Sequence, residues 1–509
     1  MPINFLNEII FASDKPSEAK MIAYKESKGS LRKIAPRLYT TNMVDSPENI
    51  VKRNLISILG WRFPGCIISH RSASSLRPTP NGNLFLTHKF TRRITDFPGL
   101  TLNVLEGPGH LASDIKLGSA DVYASSEERW MLEVLQPARR GKDGESKGLS
   151  AAEVETRLDA MIRAGGEERI NRFRDNARKI SEQLGLDNEF GILNNIVSAL
   201  LNTHSSSVLS TAEGLARVAG EPLDPTRIPV FEALYDELNG RYFPDMRDEN
   251  KSEEAFRLFS FFESYFSNYI EGTEFEINEA KQIVDTGISI PKRTEDSHDI
   301  MGTFKILSNR QEMTRIPQTE SEFINILRHR HSILLEGRPN CNPGLFKTMK
   351  NRAGNTEFVS PELVEGTLKY GFKMYRNLRE PFARAIFMML LCSEVHPFTD
   401  GNGRISRVMM NSELVSAGQI RIIVPTVYRE DYLLALRRLS RASDPKPFVS
   451  VMEKLQRFSS NLWGEDFYAL DEYLRACNAY EKPEDAKLRF LDRLGSPLSA
   501  YPGRRNARR

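Results

Sequence analysis

From about residue 250 onward the apolar positions fall three or four apart. Phe256, Phe259, Phe262, Phe266 and Ile270 share one face of a predicted helix. A long apolar helix is predicted over 378–395. Another covers 403–417, with Ile405, Val408, Met409 and Val415 near one face and Gly418 as its stop. The stretch 149–200 also reads as helices, and Ser150 followed by Glu153 forms a capping box at its start. Ahead of residue 137 the signals are mixed. Residues 16–27 read as a helix, while Leu84–Thr87 and Leu100–Val104 are short β-like runs set apart by Pro and Gly. Two polar stretches break the pattern, a glycine-rich linker over Ala138–Gly148 and a looser one over Thr203–Ser207. The predicted chain is mainly α. An α/β region over 1–137 is followed by a helical connecting region (149–249), a helical domain (250–465) and a C-terminal extension (466–509). The basic stretch 503–509 is expected to be disordered.

Composition adds bounds. The 509 residues predict two or three domains, and 40% hydrophobic with 27% charged residues is ordinary for a globular chain. A net charge of +3 excludes polyanion binding by bulk charge, so any nucleic-acid role needs a local patch. Cys66, Cys341, Cys392 and Cys477 form no CxxC pair and read as reduced thiols. The start, Met1–Phe5 followed by Asp14 and Lys15, does not read as a signal peptide, and no run reaches the roughly 18 apolar residues of a membrane span. The expectation is a cytoplasmic protein with no membrane partner.

The informative segment runs from His396 to Arg407, HPFTDGNGRISR. A helix ends at Val395, a tight glycine-rich turn follows, and a new helix begins near Gly403. N–H groups at the start of a helix lack partners and lie at its positive end, which makes an anion site. Gly401 and Gly403 let the backbone approach a ligand closely. Asp400 is a hard oxygen ligand beside that site, suited to a Mg2+ carried by a nucleotide. Arg404 and Arg407, three apart, can face phosphate oxygens from one side of the helix. His396, at the lip of the loop, can titrate near neutrality as a general base must. Together these parts describe a phosphate-transfer site that works by positioning and charge stabilisation.

The same run resembles the Fic (filamentation induced by cAMP) family signature, HPFx(D/E)GNGRxxR, at every fixed position. The resemblance implies a helical Fic domain that transfers AMP from ATP to a protein hydroxyl. His396 would be the base, Asp400 the Mg2+ ligand, and Gly401, Asn402 and Gly403 the phosphate cradle. Arg404 and Arg407 would bind the triphosphate. Upstream, Lys347 and the Phe358-Val359 pair flank a polar turn and resemble the Fic flap, a β-hairpin that holds the target by strand pairing, with Lys347 standing where Arg is usual. Ser267 to Gly272, SNYIEG, resembles the family's inhibitory motif. That resemblance implies that Glu271 pairs with Arg407 and keeps ATP in an unproductive pose. Other nucleotide donors, modification of the chain itself, AMP removal and a homo-oligomer all remain open.

The N-terminal region offers a second class of function. Leu31–Thr40 after a short helix reads like the wing of a winged helix. With Ile68–Ala73 it resembles abortive-infection antitoxin regulators of toxin–antitoxin pairs, which bind DNA, although Arg37 stands where that pattern has Gly. Lys25, Lys28, Arg32, Lys33 and Arg37 form the local basic cluster that could meet DNA phosphates. His329 and His331, two apart on a helix, point away from each other, and His70 has no ligand partner at metal spacing, so neither is expected to hold a metal.

Overall fold

The computed structural model describes residues 5–12, 14–138, 145–354 and 356–497. Most of the predicted 138–148 linker and the basic stretch 503–509 lie outside them. The chain divides into two compact units, 1–218 and 219–509. The predicted connecting region 149–249 is thus shared between them.

The first unit is α/β. Its elements are β1 (Ile9–Phe11), α1 (Pro16–Ser27), β2 (Arg32–Ala35), β3 (Leu38–Thr40), α2 (Pro47–Arg53), α3 (Leu55–Arg62), β4 (Cys66–Ile68), β5 (Asn83–His88), β6 (Arg92–Phe97), β7 (Leu100–Glu106), β8 (Ile115–Lys116), β9 (Val122–Ala124), α4 (Glu127–Glu133), α5 (Ala151–Leu184), α6 (Asp187–Leu200) and α7 (Ala212–Val218). A six-stranded mixed sheet runs β6-β7-β5-β4-β9-β8, and a small antiparallel sheet runs β1-β3-β2. The alternating burial of β7 puts Leu100, Leu102 and Val104 into the core with Leu84 and Leu86 of β5. The β2–β3 hairpin lies where the wing was read. Arg37 makes its turn at φ 65°, a left-handed position usually given to glycine. The capping box of Ser150 and Glu153 opens α5, and Gly166, at φ 67°, kinks it.

The second unit is helical. It comprises α8 (Ile228–Leu238), α9 (Glu253–Ile270), α10 (Ile277–Thr286), α11 (Thr294–Leu307), α12 (Arg310–Met313), α13 (Glu320–Leu334), the hairpin β10 (Arg352–Ala353) with β11 (Thr356–Glu357), and α14 (Val364–Asn377), α15 (Pro381–Val395), α16 (Asn402–Ser416), α17 (Arg429–Ala442), α18 (Lys446–Ser459) and α19 (Phe467–Ala476). No helix among the described residues is long and apolar enough to cross a membrane. Helix α15 is apolar nearly all round and is buried from Phe382 to Leu391 apart from Arg384, as a central helix must be. The aromatic stripe of α9 is core packing: Phe256, Phe259, Phe262 and Phe266 are each at most 1% exposed. Phe467, Leu470 and Leu474 of the C-terminal extension pack into the same cluster as Phe262, so that segment belongs to this unit's core.

Polar bonds fix α9 against α16. Asn411 donates to Glu263 Oε1 at 2.7 Å, and Arg421 pairs with Glu263 Oε2 at 3.0 Å. Burial pushes the Glu263 carboxyl up to about 7, opposed by the Arg421 guanidinium. This network lies two helical turns before Glu271 and sets where the end of α9 falls.

Candidate active site

Helix α15 ends because His396 takes a left-handed conformation (φ 54°, ψ 58°), which turns the chain out of the helix. Its Nδ1 lies 3.3 Å from the Ser393 carbonyl, and its ring stacks on Phe358 with centroids 3.6 Å apart. Burial holds the imidazole down to about 4, with the Lys347 charge acting in the same direction. The ring is therefore neutral at physiological pH.

The loop that follows is closed by side chains. Asn402 accepts from the Phe398 N–H at 2.9 Å and donates to the Phe398 carbonyl at 2.8 Å. Its amide thus builds the loop, and only its backbone N–H is left for a ligand. Asn402, Gly403 and Arg404 supply the first N–H groups of α16, which by position have no intrahelical acceptor. Asp400 Oδ1 accepts from the Gly401 N–H at 2.6 Å.

The two arginines of the loop have different partners. Arg407 Nη2 bonds Glu271 Oε1 at 2.7 Å and the Ser267 carbonyl at 2.8 Å, while its Nε donates to Ser267 Oγ at 2.9 Å. Arg404, 3% exposed, pairs with Asp299 Oδ2 of α11 at 2.6 Å and lies 3.6 Å from Asp400 Oδ1. Arg404 also reaches Asn268 Oδ1 of α9 at 3.5 Å, beside the Ser267 that holds Arg407, so the two arginines lie on one side of α16 with different carboxylate partners. Glu271 follows the last turn of α9 and precedes Gly272, whose φ is 95°. A Cβ on Gly403 would fall 2.1 Å from Glu271 Oε1, so glycine there is what lets the carboxylate reach across the start of α16.

His396, Glu271, Gly403 and Arg407 line one cleft of about 460 Å³, a volume in the range of small-molecule sites. Arg429, Tyr432 and Leu433 of α17 form another wall, and Gly354, Thr356 and Phe358 of the hairpin segment a third. Asp400 stands on the α13 side of the loop. The donor set there suits a cation brought by a nucleotide: one carboxylate, 42% exposed, beside helix-start N–H groups. Among the described residues no group of three or more His, Cys, Asp or Glu is arranged to hold a metal alone.

The hairpin stands where the flap was read, with Arg352 opposite Glu357 and Ala353 opposite Thr356. Lys347 is 4% exposed; its N–H donates to the Pro397 carbonyl, and its Nζ reaches the His396 carbonyl (2.8 Å) and Asn351 Oδ1 (2.6 Å). It clips the flap segment to the loop. Burial, then the Arg227 charge, lowers its ammonium to about 8. Phe358 lies on the His396 ring, while Val359 is fully buried and serves the core.

Sequence reasoning missed His331. Its Nδ1 accepts from the Gly344 N–H (2.9 Å), so its Nε2–H donates to the Asp400 carbonyl (3.0 Å). The ring stacks on Phe398 at 3.6 Å. Two bonds and one stack thus tie the flap segment and the loop to α13. His331→Ala is expected to cost about 3 kcal/mol at pH 7 by leaving a cavity and an unpaired N–H, read from urea unfolding. Burial also lowers the folded His331 to about 4 from an unfolded 6.5. The unfolded chain therefore takes up a proton first as pH falls. Stability is lost between pH 6.5 and 4, amounting to about 3 kcal/mol over the whole window. His331→Ala should remove that part of the pH dependence.

In the first unit, Lys25, Lys28 and Lys33 lie at or near the surface, with Lys25 over the Phe5 ring and Lys28 over the Tyr24 ring, whereas the two arginines of the cluster bond to oxygens. Arg32 donates to the Asn42 and Asp45 carbonyls, and Arg37 pairs with Asp14 at 2.5 Å. His70 is buried between Ser69 Oγ and Gln136 Oε1, in a structural role. The four cysteines are free and buried.

Residues 323–414, which include the loop after α15, match the model of the Fic/DOC family. Protein adenylyltransferase fic-1 of Caenorhabditis elegans is 24% identical over 230 residues, covering 44% of this chain and 45% of that protein. Protein adenylyltransferase Fic of Nematostella vectensis is 27% identical over 193 residues, covering 36% of this chain and 44% of its own length. The chain spans about half the length of the curated relatives it matches. Among solved structures, Fic-1 (residues 134–508) from C. elegans aligns with TM-score 0.35 and 19% identity, covering 65% of this chain and 98% of that one.

Proposed function

We propose that the chain transfers AMP from ATP to a hydroxyl of a protein and is held in check by Glu271. The observation that carries this reading is one cleft shared by a neutral His396, the open start of α16 and an Arg407 already gripped by a carboxylate. The N–H groups of Asn402, Gly403 and Arg404 receive the phosphates, and Arg407 takes the terminal one once Glu271 releases it. Asp400 would hold the Mg2+ that ATP brings, which would supply charge neutralisation for the phosphates. His396 takes the proton from the target hydroxyl as that oxygen attacks the α-phosphorus, and pyrophosphate leaves. The flap lies beside His396 through Phe358 and presents the target segment. The printed names of the relatives, protein adenylyltransferase, support the same chemistry.

Incorporation of label from α-³²P ATP by wild type, Glu271→Gly and His396→Ala tests the reading, with the chain itself as first acceptor. No label in Glu271→Gly, or equal label in His396→Ala, would sink it. The pH profile is a second test. Burial disfavours the imidazolium, so kcat/KM of Glu271→Gly should stay flat from pH 8 to about 6. It should fall only as pH approaches about 4, without a limb near 6.5. An acid limb centred on 6.5, the ordinary imidazole value, would overturn the lowering of His396 by burial.

A further inference from the structure

Arg338, in the loop after α13, belongs to none of the motifs read from the sequence. Its Nη1 lies 3.3 Å from Asp400 Oδ2 and 3.0 Å from Asp299 Oδ2, and its Nη2 is 3.6 Å from Glu295 Oε2. One guanidinium nitrogen thus sits between the loop carboxylate and a carboxylate of α11. Asp299 Oδ2 also takes Arg404, yet Asp299 Oδ1 is buried and has no hydrogen-bond partner among the described residues. A vacant buried acceptor on a carboxylate already holding two arginines needs a reason, because such an atom is costly to leave unpaired.

We infer that Arg338 is an internal cation that competes with a divalent metal for Asp400, and that Asp299 receives it when the metal binds. This rests on the reading that Asp400 is a metal ligand. With no metal, the guanidinium neutralises Asp400 and holds its Oδ2. A dication on that oxygen repels the guanidinium at this distance. Arg338 then swings wholly onto Asp299, where Oδ1 offers the second acceptor of a bidentate pair, the arrangement guanidinium prefers. Asp299 is therefore a positioning residue that parks the displaced charge. At 22% exposure Arg338 has room for that swing, and Asp400, at 42%, is open to an incoming ion. The arrangement keeps the site electrically satisfied before nucleotide arrives and makes metal uptake weak unless phosphates add their own ligands.

The test is Mn2+ binding to the full nucleotide-free chain, read from the electron-spin-resonance signal of free Mn2+. Thermal melts check that each variant is folded. Arg338→Gln should bind Mn2+ about 5- to 100-fold more tightly than wild type, since it removes the charge that competes for Asp400. Arg338→Lys, which keeps the charge, should bind like wild type. Adding Asp400→Asn to Arg338→Gln should return binding to the wild-type level or below. If Arg338→Gln binds no more tightly than wild type, the competition is overturned while the Asp400 reading stands. If the tighter binding survives Asp400→Asn, the metal is held elsewhere and both readings fall.

Discussion

Glu271→Gly is expected to raise AMP incorporation by the full chain about 10- to 100-fold at saturating ATP. Glu271 takes a hydrogen bond from Arg407 at 2.7 Å and stands over the start of α16 close enough that a Cβ at residue 403 would collide with it. A hydrogen bond to a charged group contributes about 1.5–3 kcal/mol, and the same guanidinium interaction becomes available to the terminal phosphate once the carboxylate is gone. Arg407 keeps its bonds to Ser267, so its side chain stays aimed at the cleft in the variant. Glu271→Gln is the finer control. It keeps the volume and removes the charge, and should fall between wild type and Glu271→Gly. Label incorporation at early times, with Tm measured in parallel, checks the expectation. Equal rates in all three proteins would mean that the Glu271–Arg407 pair is structural only.

His396→Ala in the Glu271→Gly background should lower the rate about 10²- to 10⁴-fold, the span a positioned general base supplies. The effect should lie in kcat more than in ATP affinity, because in the proposed reaction His396 meets the hydroxyl and not the phosphates. Its neutral state comes from burial and from Phe358 packed on its face. Phe358→Ala should therefore give a smaller loss than His396→Ala by loosening the ring. Equilibrium binding of a fluorescent ATP analogue separates the two steps. Weakened binding in His396→Ala that matches the loss in rate would place the residue in the nucleotide pocket instead of at the acceptor.

The parts legible in the sequence were those governed by local rules. The glycine turn, the helix starts at Ser150 and near Gly403, and the aromatic face of α9 each follow from spacing within a few residues, and each is found where the pattern put it. A turn was legible in the polar stretch between Lys347 and Phe358, and the hairpin of β10 and β11 found there was implied by the resemblance to the Fic flap. What could not be read is set by contacts between distant segments. Arg404 and Arg407 look equivalent along the helix, but Asp299 claims one and Glu271 the other. His331 looked like half of an unworkable metal pair, and its use emerges only when α13 packs beside the loop. Asn402 was read as part of a phosphate cradle, yet its amide is consumed in closing the turn on Phe398. Arg338 carried no sequence signal at all, since its meaning lies in two carboxylates contributed by other elements.

The hairpin of β10 and β11 bears on recognition. β10 and β11 are two residues each. A guest strand laid along such an edge could form only one or two main-chain hydrogen bonds, and it would meet side chains at one or two alternating positions. So short a ruler measures little sequence. A polypeptide presented to His396 would be chosen chiefly by whether its folded surface lets an extended loop reach the cleft, and several unrelated loops could satisfy that demand.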